Sequence, residues 1–202
     1  MKTKQQVVSE FRRAEILDAA RKVFARQGFE RGMMDEIARE AGIAKGTVYL
    51  YFRSKQEIFR AVLEHNMKVL RQETLSRVDA APTLHAKIRA FVQARMENAE
   101  ASKDFFRIMD SEERNLAMTR SQYRDFLREP VAHLTAAIEA ASRSGEIRRV
   151  AADSVAWMVA DAVRGSIQRR LLGANQSSLE EDVAFITEMV WLALTHRGPE
   201  LK

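Results

Sequence analysis

The chain has 202 residues, enough to bury a sizeable core in one large domain or a small one joined to a larger one. It holds no cysteine, which removes disulfides, thiolate metal sites and cysteine nucleophiles together and fits a reducing cytoplasm. Its formal charge of +5 is unevenly placed: residues 1–71 carry 15 Lys and Arg against 9 Asp and Glu, whereas residues 72–202 carry 18 against 19. No apolar run approaches the ~20 residues that span a bilayer, and the charged N-terminal stretch precedes no apolar block of the kind a signal peptide needs. A soluble, unprocessed, cytoplasmic protein is expected.

Apolar residues recur at helical period almost throughout, with no strict alternation that would argue for a strand, so the expected class is all-α with about nine helices. The first, about residues 10–27, carries Ile16, Leu17, Ala20, Val23 and Phe24 on one face and closes at Gly28 as a C′ glycine. Residues 35–41 form a short second helix. Gly42, Ile43 and Ala44 make a turn, and residues 45–52 a short third helix, which is the helix-turn-helix plan. Ser54 and Glu57 form a capping box that opens a long fourth helix to about Val78.

Pro82 suits the first turn of a fifth helix bearing Leu84, Ile88, Phe91, Val92 and Met96. Ser102 caps a sixth with Phe105, Phe106, Ile108 and Met109. A seventh carries Tyr123, Phe126 and Leu127, is expected to kink or restart at Pro130, and runs to Gly145. Asp153 caps an eighth helix to Leu172. A second capping box, Ser178 to Glu181, opens a ninth through Phe185, Ile186, Met189, Val190 and Trp191.

Function concentrates near the helix-turn-helix. Ile37, Ala38, Ile43, Val48 and Phe52 are spaced to bury a small core, leaving Lys45, Gly46, Thr47, Tyr49, Leu50 and Tyr51 largely outward. Two outward tyrosines suit phosphate and sugar contact, with Lys45, Arg53 and Lys55 supplying charge around them; the alternative is that either ring packs against the fourth helix. Gly46 allows close approach of the helix start to a nucleic-acid backbone.

The run from Gly28 through Met34-Asp35-Glu36-Ile37-Ala38 and Gly42-Ile43-Ala44-Lys45-Gly46-Thr47-Val48-Tyr49-Leu50-Tyr51-Phe52 to Lys55 resembles the DNA-binding signature of the TetR family of transcriptional regulators. The resemblance covers residues 10–70, with the helix-turn-helix at 33–52. It implies a homeodomain-like three-helix head, followed over 71–202 by a helical ligand-binding and dimerisation bundle. It further implies that Lys45, Gly46, Thr47, Tyr49, Tyr51 and Lys55 contact operator DNA, with Lys45 and Thr47 touching bases, while Leu50 suits a thymine methyl. Met33 and Ala44 depart from the family pattern, standing where a hydroxyl residue often caps the second and third helices; each loss weakens a cap by ~1 kcal/mol.

Beyond residue 71 the resemblance implies only architecture. Candidate ligand residues are Phe91, Met96, Phe105, Met109, Tyr123, Phe126 and Trp157, and for each of them ordinary core packing is the competing role. Asp161 interrupts an apolar stretch expected to be largely buried, so it either pairs with Arg164 or orients a polar ligand. A homodimer is expected through the last two helices, by Val163, Ile167, Phe185, Met189 and Trp191.

The implied function is a sequence-specific regulator, by family habit a repressor released from its operator by a small-molecule effector. The alternatives are an architectural or partner-controlled DNA-binding protein of the same fold and, more distantly, a helical-bundle enzyme. For the enzyme, the chain lacks a Glu-x-x-His pair, a phosphate-cradling glycine loop and a nucleophile elbow. The four histidines, at 65, 85, 133 and 196, show no helical pairing, so no metal and no cofactor are expected.

Overall fold

The computed structural model of the chain describes residues 3–101, 103, 120–174 and 177–196, and among these only helices and their connections occur. Eight helices are described: α1 (Lys4–Arg31), α2 (Met34–Glu40), α3 (Lys45–Tyr51), α4 (Lys55–Ala80), α5 (Leu84–Ala101), α6 (Arg120–Ser144), α7 (Ala152–Leu171) and α8 (Leu179–Thr195). The sixth of the nine expected helices lies outside the described residues. The chain divides into two compact units, with the boundary inside α4 between Met67 and Lys68. The unit up to residue 67 is called the head; described residues 68–101, 120–174 and 177–196 form the body.

In the head, α1 begins six residues earlier than the apolar stripe suggests. Thr3 Oγ1 accepts the Gln6 N–H at 3.2 Å and Gln6 Oε1 accepts the Thr3 N–H at 2.9 Å, a reciprocal cap that starts the helix without an apolar face. The helical path then breaks at Gly28, whose φ of +79° costs a glycine little. The break turns Phe29 back onto Phe24 and Phe59, with ring centroids 5.7 and 4.8 Å apart. Ile16, Ala20, Val23, Phe24, Ile37, Val48, Phe52 and Ile58 are fully enclosed around this cluster. Each large apolar side chain there contributes roughly 1.5–3 kcal/mol of burial.

The α2–α3 turn is fixed by backbone geometry. Gly42 has φ +65°, the Ile43 N–H reaches the Ala38 carbonyl at 3.0 Å and the Gly42 N–H reaches that of Arg39 at 3.1 Å, which is the Schellman arrangement. At the start of α4, Ser54 Oγ accepts the Glu57 N–H at 3.2 Å, but the Glu57 carboxylate takes the N–H of Arg53 at 2.7 Å, one residue ahead of the expected box.

In the body, α6 lies along α7, and α5 lies against α6, α7 and α8. Ile88, Phe91, Val92, Leu127, Leu134, Ile138, Ala156, Val159, Val163 and Val183 form its fully buried core. Two helix starts differ from expectation. Thr83, not Pro82, begins α5, its Oγ1 accepting the Ala86 N–H at 3.2 Å; Ala151 stands at the cap of α7, with Asp153 inside the first turn. Helix α6 continues through Pro130 as one helix. The α8 box is present as read, with Ser178 Oγ accepting the Glu181 N–H at 3.1 Å and Glu181 Oε2 accepting the Ser178 N–H at 2.6 Å. The Arg170 guanidinium donates to Asp182 Oδ2 and to the Ser177 carbonyl, each at 2.9 Å, joining the end of α7 to the start of α8.

Candidate nucleic-acid interface

Helix α3 has seven residues and is held to the head by Val48, wholly buried, and by Phe52 just beyond its end. The Arg13 guanidinium stacks 4.3 Å above the Phe52 ring and donates to the Tyr51 carbonyl at 3.5 Å, bracing the helix C-terminus. With that side committed to the core, Lys45, Gly46, Tyr49 and Leu50 are exposed and Thr47 is half-buried. Leu50 is 82% exposed and Tyr49 45%, a cost in apolar exposure that the head itself does not require. Tyr51 differs, since its ring is half-buried against the head core, so packing accounts for Tyr51 and not for Tyr49. A Cβ added at Gly46 would meet no protein atom within 4 Å. Nothing inside the head demands glycine there.

The cations are placed less simply. Lys45 Nζ lies 2.6 Å from Asp35 Oδ1 on α2, and the hydrogen bond from that carboxylate raises the lysine pKa above its usual value. Arg53 is exposed at the α3–α4 junction. Lys55 has partners inside the head. Its ammonium donates to the carbonyls of Phe29 and Glu30 at 2.8 and 2.9 Å and sits 4.4 Å over the Phe29 ring, so it closes the end of α1. Of the two missing caps, that of α2 is partly replaced: Glu36 accepts the Met33 N–H at 3.1 Å, and its carboxyl is held below the ordinary range first by the Gln27 amide and then by that N–H. Ala44 provides no side-chain cap to α3. Asp35 was missed from sequence, where a first-turn acid reads as an ordinary response to the helix dipole.

Residues 16–62 match the family model described as bacterial regulatory proteins, tetR family. Over that stretch the chain is similar to the tetR family. An uncharacterized HTH-type transcriptional regulator of Bacillus subtilis, YfiR, is 51% identical over 53 residues, a stretch that spans 26% of this chain and 26% of that protein. The chain thus spans about a quarter of that relative's length. Among solved structures, the fatty acid degradation regulator FadR from Bacillus halodurans superposes with a TM-score of 0.74 at 19% identity over 98% of this chain and 100% of that one. The regulator FadR from Bacillus subtilis, solved in complex with stearoyl-CoA, gives 0.72 at 20% identity over 88% and 96%. At these identities the body shares its fold with both.

The body residues expected to bind ligand fall into three groups. Phe91, Met96 and Phe126 are buried and Trp157 is half-buried. Phe105 and Met109 lie outside the described residues, and the side chain of Tyr123 does too. Asp161 is exposed, which corrects the expectation of burial: the buried face of α7 is Ala156, Val159, Ala160, Val163 and Ile167, and Asp161 lies off it, as does the exposed Met158. A small cleft of about 190 Å³, including its open mouth, is lined by Met96, Ala99, Glu100, Ile167, Arg170 and Leu171. Of the described candidates, Met96 reaches it. The sequence reading also missed Arg95, 4% exposed on the apolar face of α5, with its guanidinium carbon 5.7 Å from the Phe91 ring and 5.6 Å from that of Phe126.

The expected dimer residues also divide. Phe185 and Met189 are 65% and 54% exposed on α8, joined by Leu192 and, on α7, Met158 at 50% each. Val163 and Ile167 are corrected to core, at 0% and 9% exposure within one chain. Trp191 is half-buried, edge-on to His85 at 5.2 Å. Among the described residues no group of three acids or histidines is placed to hold a metal ion, and no helix is long and apolar enough to cross a membrane.

Proposed function

We propose that this chain is a sequence-specific DNA-binding transcriptional regulator of the cytoplasm, acting as a homodimer that leaves its operator when a small molecule occupies the body. The observation that carries this is the outer surface of α3, where exposed Tyr49 and Leu50 lie one turn from a glycine that the head's own packing does not need. A backbone approaching Gly46 closely, a thymine methyl under Leu50 and phosphate oxygens at Tyr49 account for all three together. The net positive charge of residues 1–71 supplies the sequence-independent attraction such a head requires. Nothing in this role calls for catalysis. Selection of bound fragments from random duplex DNA is expected to return a two-fold symmetric sequence. Lys45→Ala and Thr47→Ala then alter which bases are preferred, while Tyr49→Phe weakens all sequences alike. Recovery of no preferred sequence would overturn the proposal.

The effector is proposed to be an acyl-coenzyme A or a related amphipathic anion. Support comes from the shared body fold of the neighbour solved with stearoyl-CoA, from the apolar ring and thioether side chains of α5 and α6, and from the buried cation Arg95 among them. Linkage provides the test: an effector that weakens operator binding must itself bind the operator complex less tightly by the same factor. Equal affinity of acyl-CoA for free and DNA-bound protein would exclude it and favour the ligand-independent alternative. The exposed apolar residues of α7 and α8 support an isologous dimer contact, in which Asp161 and Arg164 fall at its polar margin.

A further inference from the structure

The acidic residues of α2 have different employments. Glu36 is held by the Gln27 amide and the Met33 N–H, and Glu40 pairs with Arg26 at 2.7 Å. Asp35 alone among them reaches the recognition helix, where its carboxylate lies 2.6 Å from Nζ of Lys45, the first residue of α3. Both side chains are more than half exposed, at 56% and 55%, so the pair adds little to stability. Its placement is the informative part. A carboxylate stands on the surface that is to meet a polyanion, against the lysine best placed to touch it.

Resting on the DNA-binding role proposed above, we infer that Asp35 is a specificity-determining residue of the head. By pairing Lys45 it withholds this cation from sequence-independent attraction to phosphates, and yields it only where base acceptors take the carboxylate's place. Non-specific binding is driven by counterion release, and a lysine already neutralised by a protein carboxylate releases no counterion. To bind a phosphate, Lys45 must abandon Asp35 and leave a bare carboxylate against the backbone. In the major groove, guanine O6 and N7 accept from the ammonium, and the amino group of the paired cytosine donates to the freed carboxylate, so both charges are satisfied. The pair thereby penalises wrong sites more than it rewards the right one.

Titrations of the full-length chain against its selected operator and against a random duplex, from about 50 to 200 mM salt, test this with four proteins: wild type, Asp35→Asn, Lys45→Ala and the double variant. In the presence of Asp35, Lys45→Ala is expected to lower operator affinity far more than random-duplex affinity and to leave the salt slope on the random duplex unchanged, because the paired lysine releases no counterion. In the Asp35→Asn background the same lysine substitution is expected to weaken random-duplex binding and reduce the slope by about one. Asp35→Asn alone raises random-duplex affinity several-fold and lowers the operator-to-random ratio. An equal gain on both duplexes, or a lysine effect on random DNA that ignores residue 35, would show Asp35 acting only as a general negative charge and overturn the inference. A wild type with no preferred operator would overturn the DNA-binding role itself along with it. Because the pair is exposed, thermal unfolding of all four proteins is expected to coincide, and a lowered melting temperature for Asp35→Asn would make the residue structural instead.

Discussion

The ammonium of Lys55 spans the first turn of α4 and the end of α1, donating to the Phe29 carbonyl at 2.8 Å while lying 4.4 Å over the Phe29 ring. A second bond, to the Glu30 carbonyl at 2.9 Å, uses another of its three donors on the same helix end. Lys55 therefore adds a polar tie between two helices that also meet through the rings of Phe24 and Phe29 against Phe59. Its substitution by Met, which keeps the stem and removes the donors, is expected to destabilise the head by about 1–2 kcal/mol, as loss of charged hydrogen bonds to two carbonyls implies. Urea unfolding measures this. Unchanged stability together with weaker DNA binding would return Lys55 to the phosphate contacts expected from sequence.

Gly46→Ala separates fold from function. Within α3 the added methyl group meets nothing in the protein, and replacing a helical glycine by alanine is worth roughly 0.5–1 kcal/mol. The variant is expected to unfold at equal or slightly higher urea concentration yet to bind its operator at least about tenfold less tightly, a change of ~1.4 kcal/mol in binding. Undiminished operator affinity would remove the close approach of backbone to backbone on which the DNA-binding role rests.

The two halves of the expected dimer set should respond in opposite ways. Phe185→Glu places a charge on an exposed apolar face of α8 and is expected to shift sedimentation to a monomer of 23.1 kDa with little change in unfolding of the monomer. Val163→Ala opens space in the body core and is expected to cost about 1–3 kcal/mol while the dimer persists. A dimer that survives Phe185→Glu would place the interface elsewhere.

Acid should loosen the joint between α4 and α5. Arg77 lies 2.6 Å from Glu97 and 2.5 Å from Glu73, and it is first the Arg77 hydrogen bond, then that of Gln93, which holds the Glu97 carboxyl below its ordinary value of 4.5. With a depressed folded-state pKa, the unfolded chain binds the proton more readily. The stabilisation is therefore complete above the unfolded value and disappears as pH falls through the folded one. Since these side chains are more than a third exposed, screening keeps the effect small. Glu97→Gln is expected to flatten the loss of stability below about pH 4.5, read from melting temperature against pH. An identical acid profile in the variant would assign the acid sensitivity to other carboxylates.

Sequence alone determined the helical class, the helix-turn-helix and most of the head core, because those depend on local period and on turn chemistry that only a few residues satisfy. Gly42, with its positive φ, and the Ser178 box are of this kind: each feature is specified within five or six residues of chain. The start of α1 escaped notice since Thr3 and Gln6 cap a helix whose first turns bury nothing, and periodicity detects only buried faces. Tertiary structure decided the employment of the charges. Lys55 turns inward to carbonyls 25 and 26 residues away, Lys45 is claimed by Asp35 from the neighbouring helix, and Arg95 lies between the rings of Phe91 and Phe126. It also separated Val163 and Ile167, which are core, from Phe185 and Met189, which are exposed. An apolar residue on a helix shows that it prefers burial. Whether its own chain or a second copy supplies that burial depends on which neighbours the fold brings against it, and a long flexible cation is assigned by the oxygen within its reach.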